Sequence, residues 1–142
     1  MRLFLALLLL PTQTLAWEFT PRPICTLSHD SEAARMTVVF DPAVPVYRLD
    51  VTLKSAPWAA SPTFGMAFEG GRAITIGTDR HSVEGQTLSV SDRGFGNVLD
   101  GLEFNTRATA FTGSQGVAVS LDGAAAPVRA FRACARQLPA LS

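Results

Sequence analysis

The sequence predicts an all-β domain, an antiparallel barrel or sandwich of about seven or eight strands followed by a short C-terminal helix. Three observations carry that expectation. Short runs alternate apolar and polar residues, most clearly where Tyr47, Leu49, Val51 and Leu53 fall on one side of a segment, and a period of two marks a half-buried strand. Clusters of glycine, proline, aspartate and serine punctuate those runs at close intervals, as turns do. A spacing of three appears only near the C-terminus, and the absence of helical patterns between the strand-like runs argues against an α/β fold.

The chain opens with MRLFLALLLLPTQTLA, residues 1–16, which reads as an export leader. Arg2 supplies a positive charge, residues 3–10 are continuously apolar, Pro11 breaks the run, and Thr14 and Ala16 place small side chains before the cut. That apolar run is too short to cross a bilayer as a helix, which needs about twenty residues. No transmembrane anchor is therefore expected in the mature protein. No cysteine adjoins the cut, so a lipid anchor is not expected either. Residues 17–142 are expected to form a single β-rich domain.

Within that domain, WEFTPRPICTLSHD (17–30) has two prolines and no sustained period, and reads as an irregular or edge segment. RMTVVFD (35–41) and VYRLDVTLK (46–54) read as strands around the turn PAVP, and SAPWAASP (55–62) as a loop. FGMAFEG (64–70) sets Phe64, Met66 and Phe68 on one face; the Gly70-Gly71 turn and RAITIGT (72–78) then complete a hairpin signal. DRHSVEGQ reads as a connector to TLSVS (87–91). NVLDGLEF and RATAFT are further strand-like patches, and GSQG (113–116) is a hairpin loop before VAVSL (117–121). In the last segment Val128, Phe131 and Cys134 recur every third residue behind Pro127, which predicts a helix over about 125–136. Its arginines 129, 132 and 136 are expected to face largely outward.

The totals narrow the function. The chain carries 12 basic and 12 acidic residues; without Arg2 the balance is 11 against 12, a net charge of −1. This offers no electrostatic case for a nucleic-acid partner, whose binders show a basic patch or stripe. Cys25 and Cys134 are the only cysteines. In an exported chain such a pair predicts one disulfide, closing a loop of roughly 110 residues worth about 4–5 kcal/mol on the chain-entropy estimate. Two buried, unpaired thiols are the alternative. The sequence holds no GxxxxGK[ST] phosphate loop, no GxGxxG, no HExxH, no CxxC and no GxSxG elbow. No cofactor is expected.

Two polar patches remain as candidate ligand-binding loops. GTDRHSVEG (77–85) groups Asp79, Arg80 and His81 with Ser82 and Glu84. A histidine beside acids and a serine has the residue types of a general base and nucleophile, but adjacent residues of an extended segment point to opposite sides. The simpler reading is a turn in which Asp79 accepts backbone amides and Arg80 pairs with an acid. SDRGFGNVLDG (91–101) supplies Asp92, Arg93, Phe95, Asn97 and Asp100. Its oxygen donors suit calcium, but an EF-hand order counted from Asp92 puts Gly94 and Gly96 where donors belong. It reads first as a turn, with Phe95 covering the core edge and Arg93 pairing with Asp100, and second as a ligand-binding loop. The two Asp-Arg pairs are expected at opposite ends of the intervening strand. His29, His81 and neighbouring carboxylates offer donors for a metal site, without a characteristic spacing.

The order CTLSH, GTDRH, SDRGFGNVLDGLEF and the terminal AFRAC resembles a family of small exported proteins of alphaproteobacteria without an established activity. The resemblance covers nearly all of the mature chain. Members are sometimes mislabelled as a subunit of the excision-repair nuclease, a large intracellular ATP-using protein; a short, neutral chain with an export leader and no phosphate loop contradicts that label. The family implies no catalytic residues.

The expected function is thus a non-enzymatic binding or envelope-associated protein of the periplasm or secreted fraction, with an envelope protein or small ligand as partner. A hydrolase using the His81 region and a metal-handling protein are the alternatives. An exposed apolar patch at Trp17, Trp58 or Phe95 would mark a protein partner; His81 in a concave pocket beside a nucleophile or acid would mark a hydrolase.

Overall fold

The computed structural model describes residues 16–137; apart from Ala16, the leader assigned to residues 1–16 lies outside the described residues. Ten strands and two helices form within them. In chain order these are β1 (Glu18–Thr20), β2 (Cys25–Asp30), β3 (Ala34–Asp41), β4 (Val46–Leu53), β5 (Phe64–Glu69), β6 (Ile74–Thr78), β7 (His81–Glu84) and β8 (Thr87–Asp92). Helix α1 (Gly96–Glu103), β9 (Arg107–Phe111), β10 (Gly116–Ser120) and helix α2 (Ala125–Gln137) follow. The strands build two antiparallel sheets, one of six in the order β1-β2-β3-β4-β8-β7 and one of four in the order β10-β9-β5-β6.

The expected all-β barrel or sandwich is therefore wrong. The fold mixes two open sheets with two helices, and neither sheet closes on itself. One reason lies in NVLDGLEF, expected as a strand. Phe95, Leu99 and Leu102 are spaced by four and three residues and are all buried, which is helical spacing. The segment coils into α1, and the chain then leaves the six-stranded sheet at β8 and enters the four-stranded one at β9. β1 and β2 fall in the segment read as irregular or edge, and β1 is an edge strand of the six-stranded sheet. β7 falls in DRHSVEGQ, expected as a connector.

Side-chain alternation sets the core. Leu27, Val38, Leu49, Val90 and His81 are successive partners across the six-stranded sheet, so one face of five strands points the same way. Phe64, Met66 and Phe68 of β5 are buried with Ala108 and Ala110 of β9 and Val117 and Val119 of β10. Both sheets contribute to one hydrophobic cluster. Two tryptophans span them. Trp17 stacks on His29 of β2 with ring centroids 4.7 Å apart and donates its indole N–H to the Ser120 carbonyl of β10. Trp58 meets Phe64 of β5 edge-on and donates to the Val51 carbonyl of β4.

Helix α2 spans the predicted segment and packs against β1, β2 and α1. Val128, Phe131 and Ala135 are its buried residues; burying a side chain such as Phe131 contributes about 1.5–3 kcal/mol. The Cys25–Cys134 disulfide ties it to β2, with Cα atoms 6.0 Å apart across a sequence separation of 109. Arg132 does not face outward as expected. It donates to Glu103 at 2.8 Å and also to Asp100, joining α2 to α1.

Candidate functional site

The β7–β8 hairpin decides where the two polar patches lie. Gly85, at a φ of 61°, and Gln86 form its turn, and glycine takes that left-handed backbone without steric cost. Glu84 pairs with Thr87 and His81 with Val90, so the residues before His81 and after Val90 emerge at one end. The expectation that the two Asp-Arg pairs occupy opposite ends is overturned. Its source was the reading of residues 79–86 as a single connector, which hid the reversal at Gly85.

Where the patches converge, a cleft of about 560 Å³ opens between the sheets. Leu49 and Val90 line it from the six-stranded sheet and Phe64, Met66 and Ile76 from the four-stranded one. Phe95 and Val98, beside and within the start of α1, add to this apolar lining. Thr78, Arg80, Ser91, Asp92 and Asn97 supply the polar lining, and all but Thr78 of these five are exposed. Phe95, the N-cap of α1, makes no capping hydrogen bond from its side chain; Gly96, Asn97 and Val98 of the first helical turn border the cleft.

Of the eight candidate loop residues, the cleft brings together Arg80, Asp92, Phe95 and Asn97. Phe95 is buried and stacks on Tyr47 with centroids 5.5 Å apart, so it covers the core edge as expected. Asp79 and Arg93 are exposed and lie outside the lining. Asp79 is not the acceptor that shapes its turn; the Arg80 amide donates instead to the Thr78 hydroxyl at 3.0 Å. Asp92 accepts the Arg93 amide at 2.6 Å. Asp100 pairs with Arg132 rather than with Arg93. Among the described residues, neither Arg80 nor Asp92 enters a salt bridge, with each other or with any other group.

His81 sits beside the cleft, its ring 6.2 Å from Phe64. Its Nε2 lies 2.9 Å from the Ser61 carbonyl, which makes Nε2 the donor. Nδ1 is buried and has no partner among the described residues. Ser82 and Glu84 point to the other side of β7, as their exposure shows. The ring is thus committed to a backbone carbonyl, and no acid or hydroxyl of the described residues hydrogen-bonds to it.

The apolar part of the lining was missed as a site. Leu49, Phe64 and Met66 follow the same alternation as core residues, and a period of two cannot separate a strand face that meets another layer from one that borders a cleft.

Electrostatic perturbation lies away from the cleft. Burial lowers the His29 pKa below its ordinary 6.5, against an opposing pull from Asp30. The Lys54 hydrogen bond holds Asp30 below the usual carboxylate range. Burial would depress Arg132, but hydrogen bonds and charge from Asp100 and Glu103 outweigh it and raise the guanidinium pKa.

Among the described residues, no group of three or more His, Cys, Asp or Glu side chains is placed to hold a metal ion. No described helix is long and apolar enough to cross a membrane. Trp17, Trp58 and Phe95 are all buried, so the apolar patch that would have marked a protein partner is not built from these rings. Comparisons with protein families, with curated proteins and with solved structures returned no match to this chain. Function has to be read from the cleft.

Proposed function

We propose that the protein is an exported, non-enzymatic binding protein that holds a small amphipathic molecule in the cleft between its sheets. The observation that carries this reading is the composition of the cleft: aliphatic and aromatic side chains from both sheets and α1, with Arg80, Asp92, Asn97, Ser91 and Thr78 among them. Small-molecule sites are concave, mostly apolar and furnished with a few polar groups that orient the ligand. A volume of about 560 Å³ lies within the range of roughly 300–1,000 Å³ common for such sites. Export to the periplasm or beyond follows from the leader reading, and a disulfide-closed domain suits an oxidising compartment.

Titration of the oxidised protein with a neutral, environment-sensitive dye tests the reading. Saturable fluorescence enhancement is expected with the native chain. Ile76→Trp, which places a bulky ring in the cleft from an edge strand, is expected to abolish it while circular dichroism stays unchanged. Dye uptake that is unsaturable, or equal in the filled variant, would overturn the proposal.

A further inference from the structure

The cleft presents one cation and one anion to the same opening, and the structure leaves both unspent. Among the described residues, Arg80 and Asp92 are the only charged ones that line it. They form no ion pair with one another or with any other described residue; the pairs that do form are Asp30 with Arg35 and Lys54, Asp50 with Arg48, and Asp100 and Glu103 with Arg132. One oxygen of Asp92 accepts the Arg93 amide, which leaves the other for a ligand. The Arg80 guanidinium makes no hydrogen bond among the described residues, while its backbone amide is held by Thr78. Asp79 and Arg93, the oppositely charged neighbours in sequence, stand outside the lining.

We infer that the ligand is a zwitterion with an apolar body, its carboxylate taken by Arg80 and its ammonium by Asp92. This rests on the cleft being a small-molecule site. A fatty-acid-like anion would satisfy Arg80 but bring a like charge towards Asp92. An organic cation would do the reverse, and a neutral apolar molecule would use neither group. A zwitterion meets both charges at once, and electrostatic complementarity of this kind discriminates against wrong ligands more than it adds affinity. Guanidinium supplies the planar fork that suits a carboxylate. Free apolar amino acids and short apolar peptides both carry this chemistry, and the apolar walls accept their side chains.

Calorimetry on the oxidised protein separates the outcomes. The probes are phenylalanine, phenylalanyl-leucine, the N-acetyl and C-terminal amide forms of that dipeptide, and decanoate. Phenylalanine against the dipeptide shows which of the two sources fits. Removing either terminal charge is expected to weaken binding about tenfold, the scale of one charge-assisted hydrogen bond. Arg80→Ala is expected to lose discrimination against the amide, and Asp92→Asn discrimination against the N-acetyl form, each keeping the other preference. Circular dichroism of both variants verifies that the fold is kept. If the capped dipeptides or decanoate bind as well as the zwitterions while the dye still fills the cleft, the zwitterion assignment fails and the binding-protein reading stands. If neither the dye nor any probe binds, both fall.

Discussion

A Cβ built on Gly101 would lie 2.4 Å from the Phe68 ring, closer than real carbon contacts allow. Phe68 is itself buried, so the ring has little room to retreat. Replacing glycine by alanine inside a helix ordinarily gains about 1 kcal/mol; here overpacking, which costs typically about 1–3 kcal/mol, opposes that gain and wins because three ring atoms would lie within 2.6 Å. Gly101→Ala is expected to destabilise the protein in urea titrations, whereas Gly96→Ala, with nothing within 4 Å, is expected to be neutral or slightly stabilising. His29 supports a prediction in pH. Its folded pKa lies below the ordinary 6.5, so the unfolded chain takes up the proton first. Stability is in full above the unfolded value and is lost as pH falls through the folded one. Unfolding titrations taken downward in pH from about 7 should show this slope, and His29→Gln should flatten it. Asp30, held below 3.8, acts in a more acidic window.

At the scale of elements, the two helices are joined by one arginine. Arg132 reaches Glu103 and Asp100 from α2. The Glu103 side chain is only 8% exposed and that of Arg132 20%, so this is a partly buried network rather than a surface pair. Arg132→Ala strands the Glu103 carboxylate without its partner. The expected loss is about 1–3 kcal/mol, above the 0–1 kcal/mol of exposed pairs, with weak dependence on salt. A loss under 0.5 kcal/mol in denaturant titrations would show that solvent replaces the arginine. The β7–β8 hairpin is the other decisive element. Its turn at Gly85 brings Arg80 and Asp92 to one opening, and without it the two polar patches would not share a site.

For the molecule as a whole, the disulfide closes most of the described chain into one loop, from β2 to α2. Removing it with a Cys25→Ala, Cys134→Ala double substitution is expected to lower stability by about 2–5 kcal/mol. A matching fall in the thermal midpoint should accompany it, and reduction of the native protein should reproduce the loss. Trp17 and Trp58, each bonded to one sheet and packed on the other, provide further ties across the core. Because the sheets stay open, a cleft remains between them beside α1.

What could be read in the amino-acid order was local. Alternation identified the faces of β4 and β5, the recurrence of Val128 and Phe131 located α2, and two lone cysteines behind a leader-like N-terminal stretch pointed to a disulfide. Phe95 read correctly as the aromatic cover of a corner. The helix α1 was legible in the spacing of Phe95, Leu99 and Leu102, but the glycines and polar residues of SDRGFGNVLDG masked it. Four-residue β7 was too short for its period to stand out. The tertiary structure alone decided that the sheets remain open, that Asp100 belongs to Arg132, and that Arg80 meets Asp92 at the cleft. Periodicity reports which side of a strand is apolar, because side-chain direction is set by the local backbone. Which strands become neighbours, and whether an apolar face meets another layer or an opening, depends on contacts between residues far apart in sequence.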